Sequence, residues 1–422
     1  TSTKQNKENV GLRCITGGVT VGTDINMTSI PQGSTFMRDR FTWLAYLLLA
    51  YYAYLQAALG PLMPFLRAEL DLNYTVGGFH FSAFALGMVL AGLTGDRFAS
   101  RWGRTTIFWG GAIGMAAGAI GFALAQKVGL TIAAAFLMGF LGTLLLVMIQ
   151  ATLSDHHGAQ RAIALTEANV AASLSAMLVP IFIGLFQRIQ IGWRLALVIA
   201  AVALALIAWR FHSVTIPEKI YRRQGTLELS DRLPFIYWIY WLVIVFGVAI
   251  EWCLVFWGAE YLVSAVGLTK TVAALAMGAF FLAMVVGRFS GSRLTHRFPT
   301  GKLLILALAV ALVGFSFFWF VHLAPLSLIG LFLAGLGVSN LYPLTLSLCT
   351  TVAPDQADKA SARITLGTGS AIFIAPLVLG WTADQLGIAN AFAIVAILIF
   401  IALGVTFTAN RISTQQQPAP SP

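Results

Sequence analysis

Apolar runs of about 20 residues recur along almost the whole chain, separated by short breaks marked by charge, Pro or Gly. They lie near 41–66, 76–95, 105–126, 129–153, 162–187, 192–211, 234–263, 271–294, 301–323, 325–350, 361–384 and 388–408. Each is long enough to cross the roughly 30 Å hydrocarbon core of a bilayer as a helix. Lipid offers no partner for backbone N–H and C=O groups, so spanning segments must be helices or a closed barrel. A barrel would show short alternating segments, and these runs are continuous. Apolar residues make up 58% of the 422 positions and charged residues 10%, against about 45–50% and about 25% in ordinary globular chains. That composition excludes a soluble multidomain protein and a disordered chain. The expected fold class is an all-α membrane protein with twelve transmembrane helices.

The net charge of +10 is not gathered in a patch of the kind that binds nucleic acid. Lys and Arg sit between the apolar runs, as they do where they hold loops on the cytoplasmic side. With the N-terminus inside, roughly 21 of the 26 basic residues fall in cytoplasmic segments, leaving Arg67, Lys127, Arg188, Arg194 and Lys270 outside. Both termini are therefore expected in the cytoplasm, in a multi-pass protein of the plasma or bacterial inner membrane. The expected organisation is a polar tail at 1–40, a six-helix bundle at 41–211, a linker at 212–233, a second six-helix bundle at 234–408 and a disordered tail at 409–422. The first 40 residues contain no apolar signal-peptide core, and Met27 or Met37 is the expected natural start. Cys14, Cys253 and Cys349 have no metal-ligand or disulfide-framework spacing. Asp155-His156-His157 is read as a short loop without further ligands, so no metal and no cofactor are expected.

A shift of 196 residues superposes Met88 on Met284, Gly95 on Gly291, Arg97 on Arg293 and Arg101 on Arg297. The same shift pairs Gly139 with Gly335, Pro180 with Pro376 and Gly184 with Gly380. One offset joining three separate regions indicates a duplicated six-helix unit. Because six is even, the two copies enter the membrane from the same side as parallel repeats.

After the second run the chain reads Gly92-Leu-Thr-Gly-Asp96-Arg97-Phe-Ala-Ser-Arg101-Trp-Gly103-Arg104, and a degenerate copy, Gly287-Arg288-Phe-Ser-Gly291-Ser-Arg293, follows the eighth. With the twelve runs and the repeat, this resembles the major facilitator superfamily. The resemblance implies two six-helix bundles that rock about a central cavity. It also implies a cytoplasmic gate, in which Asp96 latches onto the start of the run at 361–384, beside Arg363. By the repeat, Glu167 would face Arg293 or Arg288. Asp96, Arg97, Arg101, Arg104, Arg288, Arg293 and Arg363 are the expected gate residues; the plain alternative is that Arg97, Arg101 and Arg104 only hold the loop inside.

A charge at membrane depth is expensive, so an ionisable residue inside a span is a functional candidate. Glu251 lies about 25 Å along its helix from Pro234 at 1.5 Å per residue, which makes it the first candidate for proton coupling. Glu167 and His80 are the others. Polar and aromatic groups on helices that line the family's cavity are the expected solute contacts: Tyr52 and Gln56, Gln150, Asn169, Asn340 and Tyr342, with Trp257 on the Glu251 helix. Such groups suit a polar, neutral solute, such as a sugar that stacks and hydrogen-bonds. Gly110, Gly114 and Gly118 are read as a close-packing stripe.

The expected function is secondary transport of a small solute by alternating access, with proton-coupled uptake of a sugar or organic solute as the first reading. The resemblance leans towards the fucose-permease-like branch. Proton-coupled efflux of drugs or metabolites is the alternative. Met177-Leu-Val-Pro180-Ile-Phe-Ile-Gly184 keeps the Pro but lacks the Gly pair usual in antiporters of the family. No Ser-His-Asp set, His-Glu-x-x-His motif or paired catalytic carboxylates indicate an enzyme. The expected partners are a small solute, protons and the lipid bilayer, with the protein acting as a monomer and no nucleic acid bound.

Overall fold

The computed structural model describes residues 36–217 and 233–415. Among these the chain forms α1 (Arg40–Leu70), α2 (Tyr74–Trp102), α3 (Arg104–Leu124), α4 (Val128–His157), α5 (Arg161–Arg188), α6 (Leu195–Phe211) and α7 (Phe235–Ser264). It continues with α8 (Lys270–Leu294), α9 (Thr300–Phe320), α10 (Ala324–Val338), α11 (Leu341–Thr351), α12 (Ala357–Leu386), α13 (Ile388–Ala391) and α14 (Ala393–Gln415). Among the described residues ten helical stretches are long and apolar enough to cross a membrane; Val128–Arg188 holds both α4 and α5, Ala324–Thr351 holds α10 and α11, and Leu195–Phe211 is a shorter apolar helix. Side-chain caps start several of them: Asp39 accepts from the Thr42 amide, Asn73 from Val76 and Thr269 from Val272, each satisfying an amide the helix cannot.

The duplication is written into the helix starts. Residues 74, 104, 128 and 161 begin α2, α3, α4 and α5, and residues 270, 300, 324 and 357 begin α8, α9, α10 and α12. The repeats meet along equivalent lines, α2 against α12 and α5 against α8, while α1 packs on α7. Gly184 of α5 sits on Leu275 of α8, and its repeat partner Gly380 of α12 sits on Tyr74 of α2. At Gly60 of α1 any Cβ would strike the Val255 carbonyl of α7. A side chain there would force the two central helices apart, as expected of small residues at helix crossings in lipid.

Three expectations are corrected. The run at 325–350 remains one membrane-length stretch, Ala324–Thr351, but its helix is broken at Ser339-Asn340 into α10 and α11. Ser339 Oγ donates to the Leu336 carbonyl and Asn340 Nδ2 to the Gly287 carbonyl of α8, and such side-chain bonds compete with the helical ladder. Thr143 and Leu144, the repeat equivalents, leave α4 continuous. The tail expected to be disordered from 409 is helical through Gln415. Ala409 is buried, Ile412 packs on the same core cluster, and Asn410 Nδ2 donates to the Gly301 carbonyl. Those contacts carry α14 past the apolar run; residues 416–422, like most of 1–40 and 212–233, lie outside the described residues. Finally, the stripe of α3 on α4 is Gly111, Gly114 and Gly118, since Gly110 faces open space.

Candidate functional site

Helix periodicity builds the site. On α1, Leu49, Tyr52, Ala53, Gln56 and Ala57 fall at the spacing of a single face; on α5, Asn169, Ala172, Ser173 and Ala176 do the same. Short alanines among longer polar side chains leave room between the helices. The result is a cavity of about 250 Å³ at the junction of the two repeats, completed by Gln150 of α4, Glu251, Trp252 and Val255 of α7, and Phe281, Met284 and Arg288 of α8.

Its charges are opposite and loosely engaged. Glu251 Oε1 lies 3.7 Å from Arg288 Nη2, an ion pair too long for a hydrogen bond. Arg288 Nη1 donates to Ser173 Oγ at 2.9 Å, crossing from the second repeat to the first. Gln56 Nε2 reaches the Tyr52 hydroxyl at 3.2 Å, and Asn169 Nδ2 donates to the Leu165 carbonyl of its own helix. The cavity thus presents a carboxylate, a guanidinium, three amides and two hydroxyls against the apolar faces of Trp252 and Phe281.

One end of the helix assembly carries Arg40, Arg97, Arg101, Arg210, Arg293, Arg297, Lys302, Arg363 and Arg411 and is called the basic face. At the opposite face the repeats are tied together. Arg67 of α1 pairs with Glu260 of α7 and lies 3.6 Å from the Tyr74 ring centroid. Asp384 of α12 accepts from the amides of Tyr74 and Thr75 at the start of α2. Deeper, Phe81 of α2 stacks on Phe256 of α7 at 4.2 Å, and Ser82 Oγ donates to the Phe373 carbonyl of α12. Towards the basic face, by contrast, Asp96, Arg97, Arg101, Arg293 and Arg363 are exposed, and Asp96 makes no ion pair or hydrogen bond among the described residues. The molecule is closed at the opposite face and open towards the basic one.

The structure brings Tyr52, Gln56, Gln150, Asn169 and Glu251 together in the cavity and places the other expected solute and proton residues elsewhere. Trp257 is fully buried and donates from Nε1 to the Pro376 carbonyl at 2.7 Å, so it packs α7 on α12 instead of lining the cavity. Asn340 is spent on Gly287 and Ser339. Tyr342 lies within electrostatic reach of Glu251 but does not line the cavity. His80 is buried, with Nδ1 2.9 Å from the Val76 carbonyl and Nε2 2.7 Å from Thr131 Oγ1; both nitrogens are engaged in helix packing away from the cavity.

Glu167 faces neither Arg288 nor Arg293. Arg38, just before α1, grips it with two hydrogen bonds of 2.5 and 2.8 Å, and the Tyr46 hydroxyl adds a third. Arg104 is not at the junction of the repeats but paired with Asp155 inside the first. Arg288, expected at the gate, lines the cavity. His156 and His157 contact Asp39 and Thr42 at 2.8 Å each, and no metal cluster occurs among the described residues. Burial works against ionisation of Asp39, but hydrogen bonds from Thr42 and His156 outweigh it and hold that carboxyl below its ordinary range.

Ser173, Trp252 and Phe281 line the cavity without having been singled out by sequence. For Arg288 a signal existed: α8 continues to Leu294, so the residue lies about 9 Å inside the helix end at 1.5 Å per residue.

The sequence profile of the Major Facilitator Superfamily matches residues 42–324 and 240–422. An uncharacterised MFS-type transporter of Yersinia pestis is 26% identical over 143 residues, a match covering 34% of this chain and 37% of that protein. The uncharacterised MFS-type transporter YtbD of Bacillus subtilis is 23% identical over 351 residues, 78% of this chain and 84% of that one. Among solved structures, a bacterial homologue of the human lysosomal transporter Spinster, in an inward-facing and occupied conformation, superposes with a TM-score of 0.74 at 15% identity. That superposition covers 92% of this chain and all of the other.

Proposed function

The chain belongs to the major facilitator superfamily, and from that premise we propose that it is a secondary transporter that carries a small organic solute into the cell with protons by alternating access. The observation that carries the reading is the cavity at the junction of the repeats, closed at one face, open towards the other and holding Glu251 among amides and hydroxyls. Sites of this kind, at the interface of repeats near the bilayer midplane, suit transport by rocking one repeat against the other.

The positive-inside rule assigns the basic face to the cytoplasm, which puts both termini there and makes the described state open inwards. Glu251 is the coupling residue: the ionisable acid in the cavity, it exchanges protons with whichever side the cavity meets. Outward opening requires the Arg67–Glu260 pair and the Asp384 contacts to part, and the basic ends of α2 and α12 to approach until Asp96 reaches the start of α12 and Arg363. A ligand shifts such an equilibrium only through its different affinity for the two states, so solute and proton must together lower the cost of passing between them. Purified protein in proteoliposomes tests this. An imposed pH gradient, acidic on the face opposite the basic loops, should drive solute accumulation, and Glu251→Gln should abolish it. Export driven by the reversed gradient would instead favour an efflux antiporter.

A further inference from the structure

We propose that the solute is an organic anion whose carboxylate is held by Arg288, and that it displaces Glu251 from that guanidinium as Glu251 takes up a proton. The inference rests on the transport reading above and narrows it to a chemical class, a sugar acid or a small hydroxy acid.

Three observations carry it. First, Arg288 is under-used among the described residues. Of its five N–H donors, one is given to Ser173 Oγ, and Glu251 stands 3.7 Å away without a hydrogen bond. The side chain remains 44% exposed where it lines the cavity. A guanidinium offers a planar fork that fits a carboxylate with two parallel hydrogen bonds, and the remaining donors supply that fork. Second, Glu251 is 13% exposed, and Arg288 is the cation it faces. A neutral sugar would leave this pair intact, whereas an anion on Arg288 would leave two carboxylates sharing one cation unless Glu251 were protonated. Third, the rest of the lining suits the remainder of such a solute, with Gln56, Gln150 and Asn169 placed for hydroxyls and Trp252 for a ring face.

Among the described residues, the charged or titratable groups around Glu251 are Arg288 from α8, Tyr342 from α11 and Tyr52 from α1; those of α12 and α14 lie towards the helix ends. The exchange balances. The solute carboxylate replaces the Glu251 carboxylate at Arg288, and Glu251 gains one proton from the water that meets the cavity. One anion and one proton then cross together with no net charge.

Equilibrium binding of gluconate, galacturonate and lactate, with glucose, galactose and glycerol as neutral counterparts, tests this on the purified full chain between pH 5.5 and 8. Wild type should bind one or more of the anions and none of the neutral compounds. Its affinity should rise about tenfold per unit fall in pH wherever Glu251 is ionised, the slope for one linked proton. Arg288→Gln should weaken anion binding more than tenfold. Glu251→Gln should bind the anion at pH 8 about as tightly as wild type does at pH 5.5, with no slope; this arm remains decisive if the Arg288 variant does not fold. Binding of the neutral compounds alone, anion binding indifferent to Arg288→Gln, or a pH slope that survives in Glu251→Gln would overturn the assignment. Gradient-driven transport of a neutral sugar would remove the anion site and leave the transport reading. Proton-linked anion binding without transport would do the reverse.

Discussion

Arg67 near the end of α1 and Glu260 near the end of α7 form an ion pair that ties the two repeats together at the face away from the basic loops, with side chains only 15% and 6% exposed. Removing one partner of a buried pair leaves an uncompensated charge, at a cost of about 3–5 kcal/mol. Here the cost falls on the state closed at that face. Glu260→Gln should therefore move the population towards opening there, by an amount towards the lower end of that range because the site is at the membrane edge. Distances between spin labels placed near Asp71 and Gly267 should lengthen in the variant and stay short in wild type.

Asp384 should act on the same equilibrium. Its carboxylate accepts from the amides of Tyr74 and Thr75, capping a helix that belongs to the other repeat. Loss of a capping oxygen costs about 0.5–2 kcal/mol, so Asp384→Ala should shift the same distances less than Glu260→Gln does. Because Arg67 stacks on Tyr74 at 3.6 Å, the two contacts share a neighbour. A double variant should depart from additivity by at least about 0.5 kcal/mol, as residues in one network do.

At the basic face the prediction is reversed. Asp96 and Arg363 are exposed and apart in the described state, so cysteines at these two positions should crosslink poorly in otherwise wild-type protein. Adding Glu260→Gln should raise the yield severalfold if the ends of α2 and α12 close as the opposite face opens. An unchanged yield would remove the latch from the account.

How far these contacts can be read from sequence follows from their chemistry. The duplication is visible because Gly184 and Gly380, or Pro180 and Pro376, occupy equivalent places where backbones approach or bend, and few other residues serve there. Glu251 is visible because one acid in the middle of an apolar run has no cheap explanation. The Arg67–Glu260 pair is not: both residues stand near run ends, where a charge ordinarily means an interface with water, and 193 positions separate them. His80 looks like a proton carrier until Thr131, 51 residues on, is seen to occupy one of its nitrogens. Arg288 is hidden by its neighbours Gly287 and Gly291, which copy the loop signature, although α8 carries the segment well inside the helix.

Glu167 gives a direct test of that difference. Gripped by Arg38 and Tyr46 within the first repeat, it should be an anchor for the start of α1 and not a proton carrier. Glu167→Gln should lower thermal stability slightly and retain accumulation driven by a pH gradient, measured in the same proteoliposomes in which Glu251→Gln loses it.

The claim on which the rest depends is that one cavity meets the two sides of the membrane in turn. Ala53 lines that cavity without a polar role, so a single Ala53→Cys thiol, with Cys14 replaced by Ser and Cys253 and Cys349 buried, reports which side water reaches. In sealed vesicles a membrane-impermeant maleimide should label it from the basic face in otherwise wild-type protein and mainly from the opposite face once Glu260→Gln is added. Labelling confined to the basic face in both proteins would contradict the account.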